Sequence, residues 1–245
     1  MPRWRLTIEY DGGPFVGWQR QDNGPSVQQA IEDAIFGFCG ERVVVHGAGR
    51  TDAGVHAAGQ VAHADIVRET VPATVRDALN FHLRPAPVAV LEAAVVGDDF
   101  HARFSARGRR YRYRILDRPA PPALLAGRVW WTRLPLDVGN MATAATLLVG
   151  HHDFTSFRST MCGAPSAVKT LDALTVRRHD EEIVIEAAAR SFLHNQVRII
   201  AGTLKRVGEG KWRVADVADA LEACDRTRAG PTAPPCGLYL MAIDY

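Results

Sequence analysis

Arg3-Trp4-Arg5-Leu6-Thr7-Ile8-Glu9-Tyr10 opens the chain, and Arg109-Arg110-Tyr111-Arg112-Tyr113-Arg114-Ile115 repeats its grammar much further on. In both, apolar or aromatic side chains alternate with polar ones, the period-two signature of a strand with one face in a core. Working outward from the first, Asp11-Gly12-Gly13-Pro14 ends the strand, and Ser26 with Gln29 makes a capping box. Val27, Ala30, Ile31, Ala34, Ile35 and Phe38 then fall at helical spacing until Gly40 stops the run. Arg42 to His46 and Gln60 to Asp65 read as short strands around a polar, glycine-bearing loop from Gly47 to Gly59. Thr74 to Leu83 reads as a helix, and Val88, Val90, Glu92 and Ala94 resume alternation. The first half is β-α-β-β-α-β.

Outward from the second stretch the order begins again. Asp137 precedes a helix through Val138, Met141, Ala145 and Leu148. Val168 to Val176 and Ile183 to Ala189 predict a hairpin around Asp180-Glu181-Glu182, followed by a helix from Phe192 to Val207. A shorter helix, Val214 to Cys224, intervenes before a closing strand from Leu238 to Tyr245. Four antiparallel strands backed by two helices is the ferredoxin-like arrangement. The expected fold is therefore α+β, with two ferredoxin-like units, residues 1–104 and 105–245. They are expected to form a continuous, mainly antiparallel sheet with helices on one face and a concave cleft on the other. Such a surface suits RNA, but a fold alone does not establish function.

The 245 residues, 47% hydrophobic and 23% charged, describe ordinary folded domains and argue against disorder. No apolar run approaches the roughly 18 residues of a membrane span, and Met1-Pro2-Arg3 leads into a strand without a signal segment, so a cytoplasmic protein is expected. Cysteines 39, 162, 224 and 236 form no C-x-x-C pair and suggest neither a disulfide framework nor a zinc site. The net charge of +2 identifies no partner, yet between His101 and Arg118 seven arginines face one acid, Asp117. That is a basic patch.

Within the polar loop, Gly47-Ala48-Gly49-Arg50-Thr51-Asp52-Ala53-Gly54-Val55-His56 carries three glycines that let backbone approach a ligand closely. Asp52 reads either as an Asx-turn residue with Arg50 as its surface counter-ion, or as a carboxylate beside a guanidinium, poised as nucleophile or general base. His56 and His63 flank it, so a metal site with Asp52 is weighed; no fourth ligand has recognisable spacing, and no metal role is assigned. His151-His152 reads as a helix C-terminal pair. Steps of 100° per residue put Leu193, Val197, Ile200 and Leu204 on one stripe, and His194, Arg198 and Lys205 on a second. The second stripe is either a solvated basic flank or a row of phosphate donors. Tyr111 is either a core residue or a stacking platform for a base. The arginines alternating with it repel one another unless an anion is near, and RNA phosphate is the commonest such anion.

Taken together, the segments Glu9-Tyr10-Asp11-Gly12, Gly17-Trp18-Gln19-Arg20, Gly49 to His56, Phe100-His101-Ala102-Arg103-Phe104-Ser105-Ala106, Arg109 to Tyr113, Asp153 to Arg158, Phe192 to Arg198 and Gly237-Leu238-Tyr239-Leu240 resemble the bacterial tRNA pseudouridine synthase A family, in order and across essentially the whole chain. The resemblance implies isomerisation of uridine to pseudouridine at positions 38, 39 and 40 of the tRNA anticodon arm, by a homodimer that needs no cofactor or metal. It implies Asp52 as the catalytic aspartate, Arg50 as its paired arginine, Tyr111 at the uracil and Arg198 as a further active-site arginine. Substrate contacts are expected from Tyr111, Arg20, Arg109, Arg110, His194 and Lys205. Ile199, where the family often has a polar residue, and Met161-Cys162-Gly163-Ala164-Pro165 depart from the pattern.

Two other classes compete. A non-catalytic RNA-binding protein with tandem sheet modules would leave Asp52 without a role, and the aromatic signature of such modules is absent. A metal-dependent hydrolase would use His56, His63 and Asp52.

Overall fold

The computed structural model describes residues 2–245. They form two compact units, one of residues up to Arg107 together with Tyr239–Tyr245, the other Gly108–Leu238. The fold is mixed α+β with mainly antiparallel strands, as the alternating stretches predict.

In the first unit, β1 (Arg3–Tyr10) pairs antiparallel with both β3 (His56–Asp65) and β4 (Val88–Val96). β10 (Leu238–Asp244) lies parallel to β3, Tyr239 against His56 and Leu240 against Ala57. Trp4, Leu6, Ile8 and Tyr10 are all buried, so the period-two reading places the core face correctly. Helix α1 (Val27–Cys39) begins where Ser26 accepts the Gln29 N–H and ends at Gly40, whose φ of 75° suits glycine. Helix α2 (Pro72–His82) runs beside α1 and β4. Between Thr7 and Ile8 the β1–β4 register slips by one residue, and Asn80 of α2 covers the bulge: its amide donates to the Val90 carbonyl (2.9 Å) and accepts the Val90 N–H (2.8 Å).

One expected strand is corrected. Arg42 to His46 is not a strand; only His46–Gly47 pairs, as β2, with β3. The backbone of Val45 is taken instead by α1: its N–H bonds to the Glu32 carboxylate and its carbonyl receives the Gln28 amide, both at 3.1 Å. The polar loop is correspondingly shorter than expected, because β3 begins at His56.

In the second unit the sheet order is β5 (Gly108–Asp117), β9 (Glu182–Ala189), β8 (Val168–His179), β7 (Gly150–Asp153), with the short β6 (Trp130–Thr132) parallel to β5. The β8–β9 hairpin turns at Asp180, φ 54°, as expected. Helix α3 (Val138–Thr146) is capped by Asp137, which accepts the Asn140 N–H at 2.9 Å, and it packs against β8 and α4 (Gln196–Gly208). Helix α5 (Ala215–Glu222) follows. The expected start of α4 at Phe192 is corrected to Gln196. Asn195 sits in the left-handed region at φ 63°, and the Gln196 side chain accepts the Leu193 N–H at 2.8 Å, closing a turn where the first helical turn was expected.

Candidate active site

Asp52 stands on the loop between β2 and β3, and the backbone on either side of it is tied down. Thr51 accepts the Trp18 N–H (3.0 Å), Val55 N–H bonds back to the Asp52 carbonyl (3.1 Å), and Asp52 forms an isolated bridge with Gly17. The Tyr10 and Thr51 hydroxyls meet at 2.8 Å in the buried interior, joining the end of β1 to the residue before the carboxylate. Gln60 holds the loop's other limb through the Gly49 carbonyl at 2.8 Å. Two glycines make this closeness possible. Gly17 has φ +122°, and a Cβ there would lie 2.8 Å from the Thr51 carbonyl; a Cβ on Gly12 would lie 2.0 Å from that of Val55.

Asp52 is half-buried and Arg50, two residues before it, is exposed. Arg20 belongs to the segment that clamps this loop, but its guanidinium pairs with Glu32 of α1 at 3.1 Å and its N–H bonds to Gln28. His56 lies inward, with Nδ1 3.1 Å from the Gly12 N–H and from the Asp11 carboxylate and its ring stacked on Tyr239. His63 accepts the Ala102 N–H through Nδ1 and stacks with His46. Both rings serve contacts within the fold, and among the described residues no three His, Cys, Asp or Glu side chains are arranged to hold a metal ion.

In the second unit β5 presents Tyr111 half-buried, edge-on to Phe192 with ring centroids 5.1 Å apart. Next to it Arg109 donates to the Arg190 carbonyl, so two β5 residues fasten the 190–195 connection that leads into α4. Arg198, in the first turn of α4, donates through Nε to the Ala233 carbonyl and through Nη1 to Asn195 Oδ1, each at 2.8 Å. These bonds fix the plane of the guanidinium. Sequence reasoning missed Asn195, whose signal was an asparagine three residues before an arginine at a helix start.

The stripe reading of α4 holds on its apolar side: Leu193, Val197, Ile200 and Leu204 are buried. Ile199 is fully buried as well, which accounts for an apolar residue there. On the other stripe His194 is exposed, whereas Lys205 pairs with Glu209 and lies over the Trp130 ring at 5.0 Å.

The repulsion argument for the β5 arginines is corrected. Arg112 meets Glu186 at 2.8 Å and Arg114 meets Glu182 at 2.7 Å, both carboxylates on β9. Cross-strand partners of opposite charge neutralise these two without any external anion. Arg110 remains exposed at the surface. Tyr113, which shares a face with Tyr111, is buried and donates to the Pro234 carbonyl at 2.7 Å, and burial pushes its phenol well above the usual range.

A family model described as tRNA pseudouridine synthase matches residues 6–105 and 144–245, most of both units. The chain belongs to the tRNA pseudouridine synthase family. Proteins named tRNA pseudouridine synthase A from Rhodospirillum centenum, Paramagnetospirillum magneticum and Rhodospirillum rubrum are 62%, 59% and 58% identical to it over 245 residues, covering the whole of this chain and 100%, 96% and 88% of theirs. Among solved structures, a crystal structure of a Cbf5-Nop10-Gar1 complex is similar over 97% of this chain and 47% of that chain, at 9% identity and a TM-score of 0.34, which carries no argument. Pseudouridine synthases are isomerases, and the family assignment makes this chain an enzyme of that class. No helix among the described residues is long and apolar enough to cross a membrane.

Proposed function

We propose that this chain isomerises uridine to pseudouridine at positions 38, 39 and 40 of the tRNA anticodon arm, acting as a cytoplasmic homodimer with Asp52 as its nucleophile. The observation that carries the reading is the loop itself: the residues around Asp52 are held by β1 through Thr51, by the segment around Gly17 and by β3 through Gly49, in a chain alignable end to end with relatives of that name. A loop held this firmly gives its carboxylate a fixed point of attachment from which to meet a bound nucleotide.

The reaction breaks the N1–C1′ bond, turns the uracil while it stays bound and joins C1′ to C5. N1 gains a proton and C5 loses one, so no electrons are exchanged. Asp52 attacks C1′, adds to C6 of the uracil or removes a sugar proton; all three need one carboxylate. Arg50 is its cationic neighbour and Tyr111 the ring at the uracil. Arg198, its guanidinium plane set by Asn195 and Ala233, is the further arginine of the site. The target base must leave its stack, at a cost of a few kcal/mol, which stacking on an aromatic ring offsets by about 1 to 3 kcal/mol. Arg109, Arg110, Arg20, His194 and Lys205 complete the proposed contacts with the RNA, those with internal partners doing so by exchanging them.

The test uses an unmodified tRNA transcript carrying tritium at uracil C5. Wild type releases tritium and Asp52→Asn does not, while the mutant still binds the RNA. Equal release from both would remove Asp52 from the chemistry. Transcripts with uridine at only one of the three positions show where the enzyme acts, and sedimentation gives the oligomeric state.

A further inference from the structure

Phe104 is 76% exposed, on a turn that its neighbours hold rigid. His101 N–H donates to Ser105 Oγ at 3.0 Å, Ser105 N–H returns to the His101 carbonyl at 2.9 Å, and His101 Nδ1 accepts the Arg103 N–H at 3.1 Å. The Ala102 carbonyl accepts the Tyr245 hydroxyl at 2.7 Å, and the Ala102 N–H bonds to buried His63. One side of the Phe104 ring is backed by His101, with centroids 4.4 Å apart, and His101 in turn rests on His63 at 4.6 Å. A short column of rings thus rises from the interior and ends in an aromatic surface open to solvent. The Arg103 guanidinium lies over the ring, 5.8 Å from its centre.

Keeping a large apolar ring in water on an ordered turn forgoes the stabilisation that burial would bring. The surroundings say what it meets. Phe104 follows the exposed Arg103, whose guanidinium lies against the ring, and the exposed Arg107 comes three residues later, cationic groups that a polyanion would meet. An aromatic face beside guanidinium is the chemistry that holds an unpaired nucleobase, the ring stacking and the cation meeting phosphate. We infer that Phe104, backed by His101 and carrying the Arg103 guanidinium over its ring, is a stacking site for an unpaired base of the RNA substrate, separate from the Asp52 loop, the base taking the guanidinium's place over the ring as the cation turns to phosphate. The inference rests on the proposed RNA substrate. Because the turn is already ordered, the site loses little conformational freedom on binding.

The test measures dissociation constants of the full-length protein for an unmodified tRNA transcript at one fixed salt concentration, for wild type and for Phe104→Ala, Phe104→Leu and Phe104→Trp. F104A and F104L both weaken binding by about 5- to 150-fold, the range of one aromatic–base stack, and F104W keeps wild-type affinity. Indole fluorescence of F104W, taken as the difference from wild type, is quenched on adding RNA. Thermal melting of each variant confirms the fold; F104L and F104W retain an apolar side chain there should F104A fail to fold. Wild-type affinity in F104A or F104L overturns the stacking site. A changed sedimentation coefficient in F104A with unchanged RNA affinity also overturns it, in favour of a protein contact. Binding is read without turnover, so the two readings fail separately. Tritium release by wild type with unaltered binding by F104A refutes only the stacking site, whereas weakened binding without release by wild type refutes only the reaction.

Discussion

Acidification should loosen the first unit chiefly through the imidazole of His63, with His101, also held low by burial, acting in the same direction. His63 is 3% exposed on β3, opposite His46 of β2 and packed under His101 and Phe100. Burial, then the neighbouring His101, His46 and Arg3, lower its pKa from 6.5 to about 4, with Asp65 opposing them weakly. Its Nδ1 accepts the Ala102 N–H, a role open only to the neutral ring in that tautomer. The folded state therefore binds its proton later than the unfolded chain. The stability this confers is complete above pH 6.5 and is lost as pH falls toward 4. Linkage with those two values gives a loss of about 2 kcal/mol between pH 7 and pH 5 and about 3 kcal/mol by pH 4. The carboxylates held low by partners, Asp65 and Asp117 among them, add their own loss mainly below pH 5, so the interval from pH 7 to 5 isolates histidine. Urea unfolding followed by tryptophan fluorescence at constant ionic strength, for wild type and His63→Gln, reads the difference. The wild-type curve should fall more steeply with acid by the stated amount. Parallel curves, or an imidazole NMR titration placing His63 near 6.5, would refute the reasoning.

Asp117, whose side chain is 1% exposed, accepts the Leu136 N–H and forms two 2.7 Å bonds with Arg178, so Asp117→Ala should cost about 1 to 3 kcal/mol in chemical denaturation, the freed Arg178 being exposed enough to be solvated. Gly17→Ala forces a side chain into a positive-φ site against the Thr51 carbonyl; we expect about 1 to 3 kcal/mol of destabilisation, with tritium release falling further than folded fraction alone explains. Arg112 is paired with Glu186 and lies outside the proposed RNA contacts, so Arg112→Ala should leave the salt dependence of RNA binding unchanged, which a plot of affinity against salt concentration checks.

What could be read in advance was what local periodicity controls. Strict alternation marked β1 and β5, with Tyr10 and Tyr113 inward, and the Ser26 and Gly40 signals bounded α1. The readings that failed depended on partners distant in the chain. Val45 has the side chain of a strand residue, but its backbone is claimed by Gln28 and Glu32, a competition invisible until α1 is docked. The cationic face of β5 invited an external anion only while the β9 register was unknown; once Arg112 stands opposite Glu186, the charge is met within the sheet. At the site, Asp52 was marked by the glycines around it, whereas the Tyr10–Thr51 bond joins residues 41 positions apart and left no trace in either segment.

The parallel pairing of β10 on β3 has a consequence for biosynthesis. Tyr239–Tyr245 belong to the unit that the first 107 residues otherwise build, and they bring the Asp244 carbonyl to the Arg107 N–H and the Tyr245 hydroxyl to Ala102. A ribosome delivers the amino end first. The unit begun earliest therefore waits, one sheet margin unfilled, through translation of the whole intervening unit, and a nascent chain halted at residue 238 would carry the aspartate loop on an unfinished scaffold.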